Sequence, residues 1–188
     1  MYTCCLKRGL DVAVAFAALV ILFPLFLAIA VCIKAVDRGP VLFVSKRVGM
    51  QGKPFSFYKF RSMPVNTPVV ASDKLGEVPL TRLGSFLRRS NLDELPQLWN
   101  ILIGDMSLIG PRPSLVTQVE LIDKRRSMGV LKCRPGLTGL AQVNSYDGMS
   151  VDAKSELDAV YAKNISAWND LKIFFKTFQY LLKLPPVY

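Results

Sequence analysis

Between Asp11 and Lys34 the chain runs for about 22 residues without a charge, reading "VAVAFAALVILFPLFLAIAVCI". As a helix rising about 1.5 Å per residue, that run matches a hydrocarbon core about 30 Å thick, so it reads as a membrane segment. A cleaved signal peptide does not fit, because the run is too long and Cys32-Ile33-Lys34 offers no small-residue cleavage site. Pro24 stands in its middle, where it lacks an amide to donate and its ring crowds the preceding turn, so the helix must break or kink there. Lys7 and Arg8 precede the run, and Lys34, Arg38, Lys46 and Arg47 follow it. Cations at both ends pull both flanks toward the cytoplasm, which a re-entrant hairpin satisfies. A kinked helix that spans the bilayer is the competing arrangement, and sequence physics leaves both standing.

Composition narrows the chemistry. The chain has 188 residues, a net charge of +10 and 51% hydrophobic residues, a basic and greasy balance suited to anionic membrane lipids or an anionic substrate rather than to nucleic acid. Histidine is absent, which removes the commonest general base and the His-based zinc sites. Cys4, Cys5, Cys32 and Cys133 show no CxxC spacing, so they read as free thiols in a reducing compartment. Catalysis, if present, rests on carboxylates, Lys, Tyr or Cys.

After the membrane segment, "VLFV" and "FSFYKF" flank a Gly-Met-Gln-Gly turn and predict a β-hairpin, with Lys59 and Arg61 at period two where the second strand ends. Residues 64 to 79 have no period and read as an exposed loop. From Leu83 to Ile103 the apolar spacing is helical, and Ser90 or Asn91 is placed to cap a helix starting at Leu92. Asp93 and Glu94 then become first-turn acids, adjacent and set among Leu92, Leu95, Pro96 and Trp99. Two neighbouring carboxylates in apolar company are hard to keep ionised unless cations hold them. The chain supplies candidates: Lys59, Arg61, Arg88, Arg112 clamped between Pro111 and Pro113, and Arg134 before a Pro-Gly turn. Stiffly presented cations and an acid pair on a membrane-attached chain point to a diphosphate site, with Mg²⁺ as the natural ion between carboxylate and phosphate.

"YKFRSM", "LDELPQLWNILIGDMSLIGPRP" and "RPGLTGLAQV", in that order behind a proline-broken apolar segment, resemble the bacterial sugar transferases known as small monotopic phosphoglycosyl transferases. The resemblance covers nearly the whole chain. It implies transfer of a sugar 1-phosphate from a UDP-sugar to polyprenol phosphate with Mg²⁺, on the cytoplasmic face of a bacterial inner membrane, and it favours the hairpin. It implies Asp93 as the nucleophile, Glu94 as its partner in metal placement or acceptor activation, and Lys59, Arg88 and Arg112 as phosphate holders. Arg61 is grouped with these, and Arg134 and Gln142 with the substrate pocket. The chain departs from the family in carrying Phe23 where relatives often have Ser before Pro24, and Ser45 where they often have Gln.

The expected architecture is α+β: a re-entrant membrane helix over residues 1 to 36 and a helix-rich catalytic domain over 37 to 188, with a small β-hairpin and interfacial amphipathic helices. In the tail, Lys172, Lys176, Gln179 and Lys183 form a basic stripe beside Phe174, Phe175 and Phe178, suited to the bilayer interface or to packing within the domain. A membrane-anchored binding protein and a Mg²⁺-dependent phosphodiesterase are the rival readings. The sugar, the glycan pathway and the oligomeric state are left open by the sequence.

Overall fold

The computed structural model describes residues 2–65, 67, 80–144 and 149–182. The apolar run forms two helices, α1 (Lys7–Ile21) and α2 (Phe23–Asp37), bent by 61° at Leu22. Pro24 sits in the first turn of α2, where its missing amide would have had no intrahelical acceptor, so it both ends one helix and opens the next. The Leu22 amide donates to the Ala18 carbonyl at 2.9 Å and its own carbonyl accepts from Phe26 at 3.0 Å, which carries the backbone through the bend without a serine at position 23. Among the described residues no single helix is long and apolar enough to cross a membrane, whereas the bent pair together has the length and hydropathy.

The next segments form the hairpin, β1 (Leu42–Val48) and β2 (Pro54–Phe60), antiparallel with Leu42 opposite Phe60 and Val48 opposite Pro54. Alternation along β2 places its aromatics in two cores. Phe55 and Phe57 join Ala15 of α1, and Phe60 joins Ile29 and Ile33 of α2. Burial of one such ring is worth about 2–3 kcal/mol, so β2 acts as the shared wall of both N-terminal helices.

The helical pattern from 83 to 103 is split in three, correcting the expected cap at Ser90 or Asn91. Helix α3 (Arg82–Arg89) is followed by a 3₁₀ turn over Leu92–Glu94 and then by α4 (Gln97–Ile103). Asn91 adopts left-handed backbone at φ 54° with no side-chain cap, and Ser90 donates to the Phe86 carbonyl instead. Pro96 is the physical reason, since a helix running on from Leu92 would need the amide that proline lacks.

Strands β3 (Ser107–Ile109) and β4 (Gly136–Thr138) pair in parallel and bring the "GPRP" and "RPGLTG" segments side by side. A Cβ on Gly136 would lie 2.1 Å from the Gly110 amide nitrogen, so only glycine permits this approach. Among the described residues the chain continues through α5 (Val119–Ser127), α6 (Leu140–Asn144), α7 (Val151–Lys163) and α8 (Ala167–Leu181). In α8 the inward stripe is Asp170, Ile173, Thr177 and Tyr180, while Trp168, Phe174, Phe175 and Phe178 face outward. The tail helix thus packs against the domain through a largely polar face and presents its aromatics outside. Lys183 lies outside the described residues, as does most of the expected 64–79 loop.

Polar ties fix α1 to this body. Asp11, buried, accepts from the Ser107 hydroxyl at 2.7 Å and the Leu108 amide at 3.1 Å. Lys7 and Tyr2 both donate to Asp170, at 2.7 and 2.6 Å. Asp11→Ala should therefore cost about 1–3 kcal/mol, because it strands the Leu108 amide, while the Ser107 hydroxyl keeps the Ile109 carbonyl at 3.0 Å as an acceptor. Chemical denaturation in detergent micelles would measure it, with Val20→Ala on the exposed face as the near-neutral comparison.

Candidate active site

Three segments meet at one carboxylate. Lys59 comes from β2, on the same strand face as Phe57, with its Nζ 5.8 Å from that ring's centroid. Glu94 comes from the 3₁₀ turn, and its Oε1 accepts from Lys59 Nζ at 2.6 Å and from Arg112 Nη2 at 2.5 Å. Arg112 Nη1 reaches Glu94 Oε2 at 3.3 Å, completing a fork. Asp93, one residue back and buried, touches only the fringe of this cluster, with Oδ2 3.6 Å from Lys59 Nζ.

The two acids therefore differ in kind. Burial alone would raise Glu94, but the charges and hydrogen bonds of Arg112 and Lys59 overturn that and hold it far below the usual carboxylate range. For Asp93 burial prevails and pushes the carboxyl above its ordinary value, with Lys59 pulling down, Glu94 pushing up, and Arg112 and Arg88 giving smaller downward pulls. Arg112 in turn is made more basic by Glu94. Pairs of titratable groups driven apart in this way are a mark of divided roles.

Arg112 is positioned from behind. Its carbonyl accepts from Arg125 Nη1 at 2.8 Å, and Arg125 is locked by Asp158, with Nε and Nη2 at 2.9 and 2.5 Å from one carboxylate oxygen. Both members of that pair are almost fully buried. Arg47 lies nearby with its guanidinium 5.1 Å from the Phe57 centroid and donates to the Pro113 carbonyl at 3.3 Å. Burial and the proximity of Arg112 lower it to about 10, against the pull of Glu94. Tyr180 of α8 also acts electrostatically on Arg112. Sequence reasoning did not single out Arg125, Asp158 or Arg47 for the site. Their helices are rich in other charges, so no local signal marks Arg125 or Asp158.

Of the residues expected to cooperate, Asp93, Glu94, Lys59 and Arg112 are brought together, with Arg88 in electrostatic reach of Asp93. The remaining three are engaged or placed elsewhere. Arg134 donates to the Gly104 carbonyl at 3.0 Å, at the C-terminus of α4, where Arg8 also meets the Ile101 and Leu102 carbonyls. Two cations at that helix end complement its dipole. Gln142 donates to the Leu137 carbonyl at 3.1 Å, and Arg61 lines a cavity beside α2 and α3.

No group of three or more Asp, Glu, His or Cys side chains forms a metal cage among the described residues. Mg²⁺ in phosphate chemistry needs only one or two carboxylates, with phosphate oxygens completing the shell. Asp93 fits that requirement, since no hydrogen bond reaches its carboxylate among the described residues. Glu94 has Lys59 and Arg112 on its oxygens and fits better as their anchor.

Residues 2–184 match the family model described as bacterial sugar transferase. The chain is 40% identical over 180 residues to a UDP-glucose:undecaprenyl-phosphate glucose-1-phosphate transferase of Klebsiella pneumoniae, covering 91% of this chain and 39% of that protein. It is 42% identical over 186 residues to a UDP-N-acetylgalactosamine-undecaprenyl-phosphate N-acetylgalactosaminephosphotransferase of Aeromonas hydrophila, covering 94% and 44%. To the exopolysaccharide production protein ExoY of Sinorhizobium fredii it is 38% identical over 188 residues, covering 91% and 83%. The chain thus spans about two-fifths of the length of the first two relatives.

The unequal acids predict opposite effects on stability in metal-free buffer. Asp93 binds its proton more tightly folded than unfolded, so its charge at pH 7 opposes folding and stability is regained as pH falls through its raised value. Asp93→Asn should therefore raise the melting temperature at pH 7. Glu94 behaves in the reverse sense, contributing stability above its unfolded value near 4.3 and losing it only in strong acid. Glu94→Gln should cost about 2–3 kcal/mol, less than a fully buried pair because the Arg112 side chain is 39% exposed. Thermal unfolding of both variants between pH 4 and 8 tests the two signs.

Proposed function

Because the chain belongs to the bacterial sugar transferases, we propose that it transfers a sugar 1-phosphate from a UDP-sugar to polyprenol phosphate at the cytoplasmic face of the inner membrane. The observation that carries this reading is the division of labour in the acid pair, one carboxylate locked between two cations and its neighbour buried with only a 3.6 Å ion-pair contact to Lys59. A locked carboxylate orients Lys59 and Arg112 toward phosphate oxygens. The carboxylate without hydrogen bonds among the described residues is available to attack.

In the first step an Asp93 oxygen attacks the β-phosphorus of the donor, the bond from that phosphorus to the bridging oxygen breaks, and UMP leaves with the electron pair. The product on the chain is an acyl phosphate, which splits one difficult transfer into two. In the second step an oxygen of polyprenol phosphate attacks the same phosphorus, and Asp93 departs as carboxylate. Lys59, Arg112 and Arg88 stabilise the charge that gathers on the transferring phosphoryl group. Bound Mg²⁺ would supply further neutralisation of the diphosphate, with Asp93 as its ligand from the chain. Displacement of solvent by the donor also keeps the nucleophile poorly hydrated, which strengthens each of these contacts.

The bent α1–α2 pair is proposed to dip into the bilayer and return. Support comes from where its ends are held. Lys7 is tied to Asp170 of α8, and Ile33 packs with Phe60 and Leu87, so both ends lie on one folded body. The outward faces of the pair, with Val14, Phe16, Val20, Leu27 and Val31, and the outward aromatics of α8 give that body an apolar exterior suited to lipid.

Two measurements test the proposal. With a matching UDP-sugar, Mg²⁺ and no lipid acceptor, the chain should release about one UMP per site in a burst and gain the mass of a sugar phosphate. Asp93→Asn should abolish both signals. Turnover with lipid but neither burst nor adduct without it would establish direct transfer, and release of free sugar phosphate would establish a phosphodiesterase. For topology, a variant keeping Cys5 alone should react with an impermeant thiol reagent only after the cells are opened. Labelling of Cys5 in intact cells would mean that the pair spans the membrane.

A further inference from the structure

We propose that the cavity beside Arg61 binds the phosphate head of a membrane amphiphile, at a site separate from the acid pair. The cavity is small and lies between the C-terminal half of α2, the segment that leaves β2 and the start of α3. Ile33, Val36 and Leu83 line it with apolar surface, and Arg61, Ser62 and Thr81 line it with polar groups. The Nη1 of Arg61 is shut off from solvent and has no acceptor among the described residues. A guanidinium cannot shed its proton, so a half-buried one with a nitrogen cut off from water and lacking an acceptor favours an anion beside it.

Backbone geometry supplies further donors. Thr81 caps α3 through the Gly84 amide, and the first-turn amides of Arg82 and Leu83 have no intrahelical acceptor. Those amides and the guanidinium together suit a phosphate, whose several oxygens accept from both kinds of donor. The apolar wall selects the rest of the ligand. Val36 is 55% exposed on α2, the helix proposed to return from the bilayer, so a ligand with its phosphate on Arg61 can lay a hydrocarbon chain along a surface already in contact with lipid.

Arg61 is not among the leading charges that act on Asp93 or Glu94, and it makes no ion pair with either, so the cavity is distinct from their cluster. The two places are nonetheless linked. Ile33 and Leu83 of the cavity share one core cluster with Leu92 and Leu95, which bracket the acids. Occupancy of the cavity therefore presses on the packing that holds the 3₁₀ turn.

The inference rests on the proposed membrane location, but its test uses neither UDP-sugar nor Mg²⁺, so it can fail or succeed independently of the transfer reaction. The full chain in a neutral detergent is titrated calorimetrically with farnesyl phosphate, dioctanoyl phosphatidylglycerol and inorganic phosphate. At least one amphiphile should bind saturably, about tenfold more tightly than inorganic phosphate, and Arg61→Gln should weaken it about tenfold, or about 1.4 kcal/mol. Preference for farnesyl phosphate would identify a prenyl phosphate as occupant, and preference for the glycerolipid would identify a headgroup site. Should Arg61→Gln fold poorly, Val36→Glu at the exposed rim should repel the ligand to the same extent. Equal binding of all three, loss of binding in Arg112→Gln but not in Arg61→Gln, or no saturable binding by the unaltered chain, as when an acid outside the described residues holds Arg61, would each overturn the proposal.

Discussion

The Glu94 carboxylate is the point at which separate parts of the chain become one site. Lys59 arrives on a strand, Glu94 on a 3₁₀ turn and Arg112 on a proline-framed segment, and the contacts of 2.6 and 2.5 Å close all three onto one oxygen. Glu94 and Lys59 are charges largely held away from water and neither is comfortable alone, while Arg112 keeps part of its side chain in solvent. Together they neutralise one another, and the excess is cationic: two positive charges around one negative, with Arg88 beside them. A surplus of that sign is what a diphosphate needs to meet. Asp93 sits at the edge of this field, buried, with Lys59, Arg112 and Arg88 drawing its raised value back down.

The rest of the fold serves that junction through main-chain supports. Arg125 holds the Arg112 carbonyl and is itself fixed by Asp158, so α5 and α7 set where the guanidinium fork points. Asn100 of α4 donates to the Ser56 carbonyl at 2.7 Å and accepts from the Tyr58 amide at 3.2 Å, docking the helix that follows the acids onto the strand that carries Lys59. Each tie is buried and paired, so removing one partner strands the other. That is a stiff arrangement, and stiffness is what lets charged groups face a substrate without reorganising.

Much of this was legible in the sequence, and the failures have particular causes. The hairpin was readable because Gly-Met-Gln-Gly is local turn chemistry, and Gln51 indeed takes a φ of 58°. The break at Pro24 was readable because proline acts on its own turn. The acids and their partners were readable as residue types that must find one another. What failed was direction. Arg134 was recognised as stiffly presented, yet its Nε is turned to the Gly104 carbonyl, because a Pro-Gly turn fixes backbone without choosing a rotamer. Arg61 was paired with Lys59 by period two, but β2 ends at Phe60 and the period ends with it. Arg125 and Asp158 lie 33 residues apart, and no local pattern marks such a pair.

The proposed membrane attachment and the proposed transfer site share the same packing contacts. Ala15, fully buried, lets α1 lie close against Leu98 and Ile101 of α4, and α4 begins three residues after Glu94. Phe60 packs against Phe26 of α2 with ring centroids 5.3 Å apart, one residue beyond Lys59. Both carriers of the acid–cation junction are therefore braced by the helices proposed to enter the lipid. A rotation of the bent pair in the bilayer would move Ala15 and Phe26 together, and through them α4 and β2. Because packed cores shift between discrete arrangements rather than deforming smoothly, the depth of the pair in the proposed bilayer location would be a physical variable of the site. Bilayer thickness would then act on the spacing of Lys59 and Glu94, tying the proposed phosphate binding to the lipid around it.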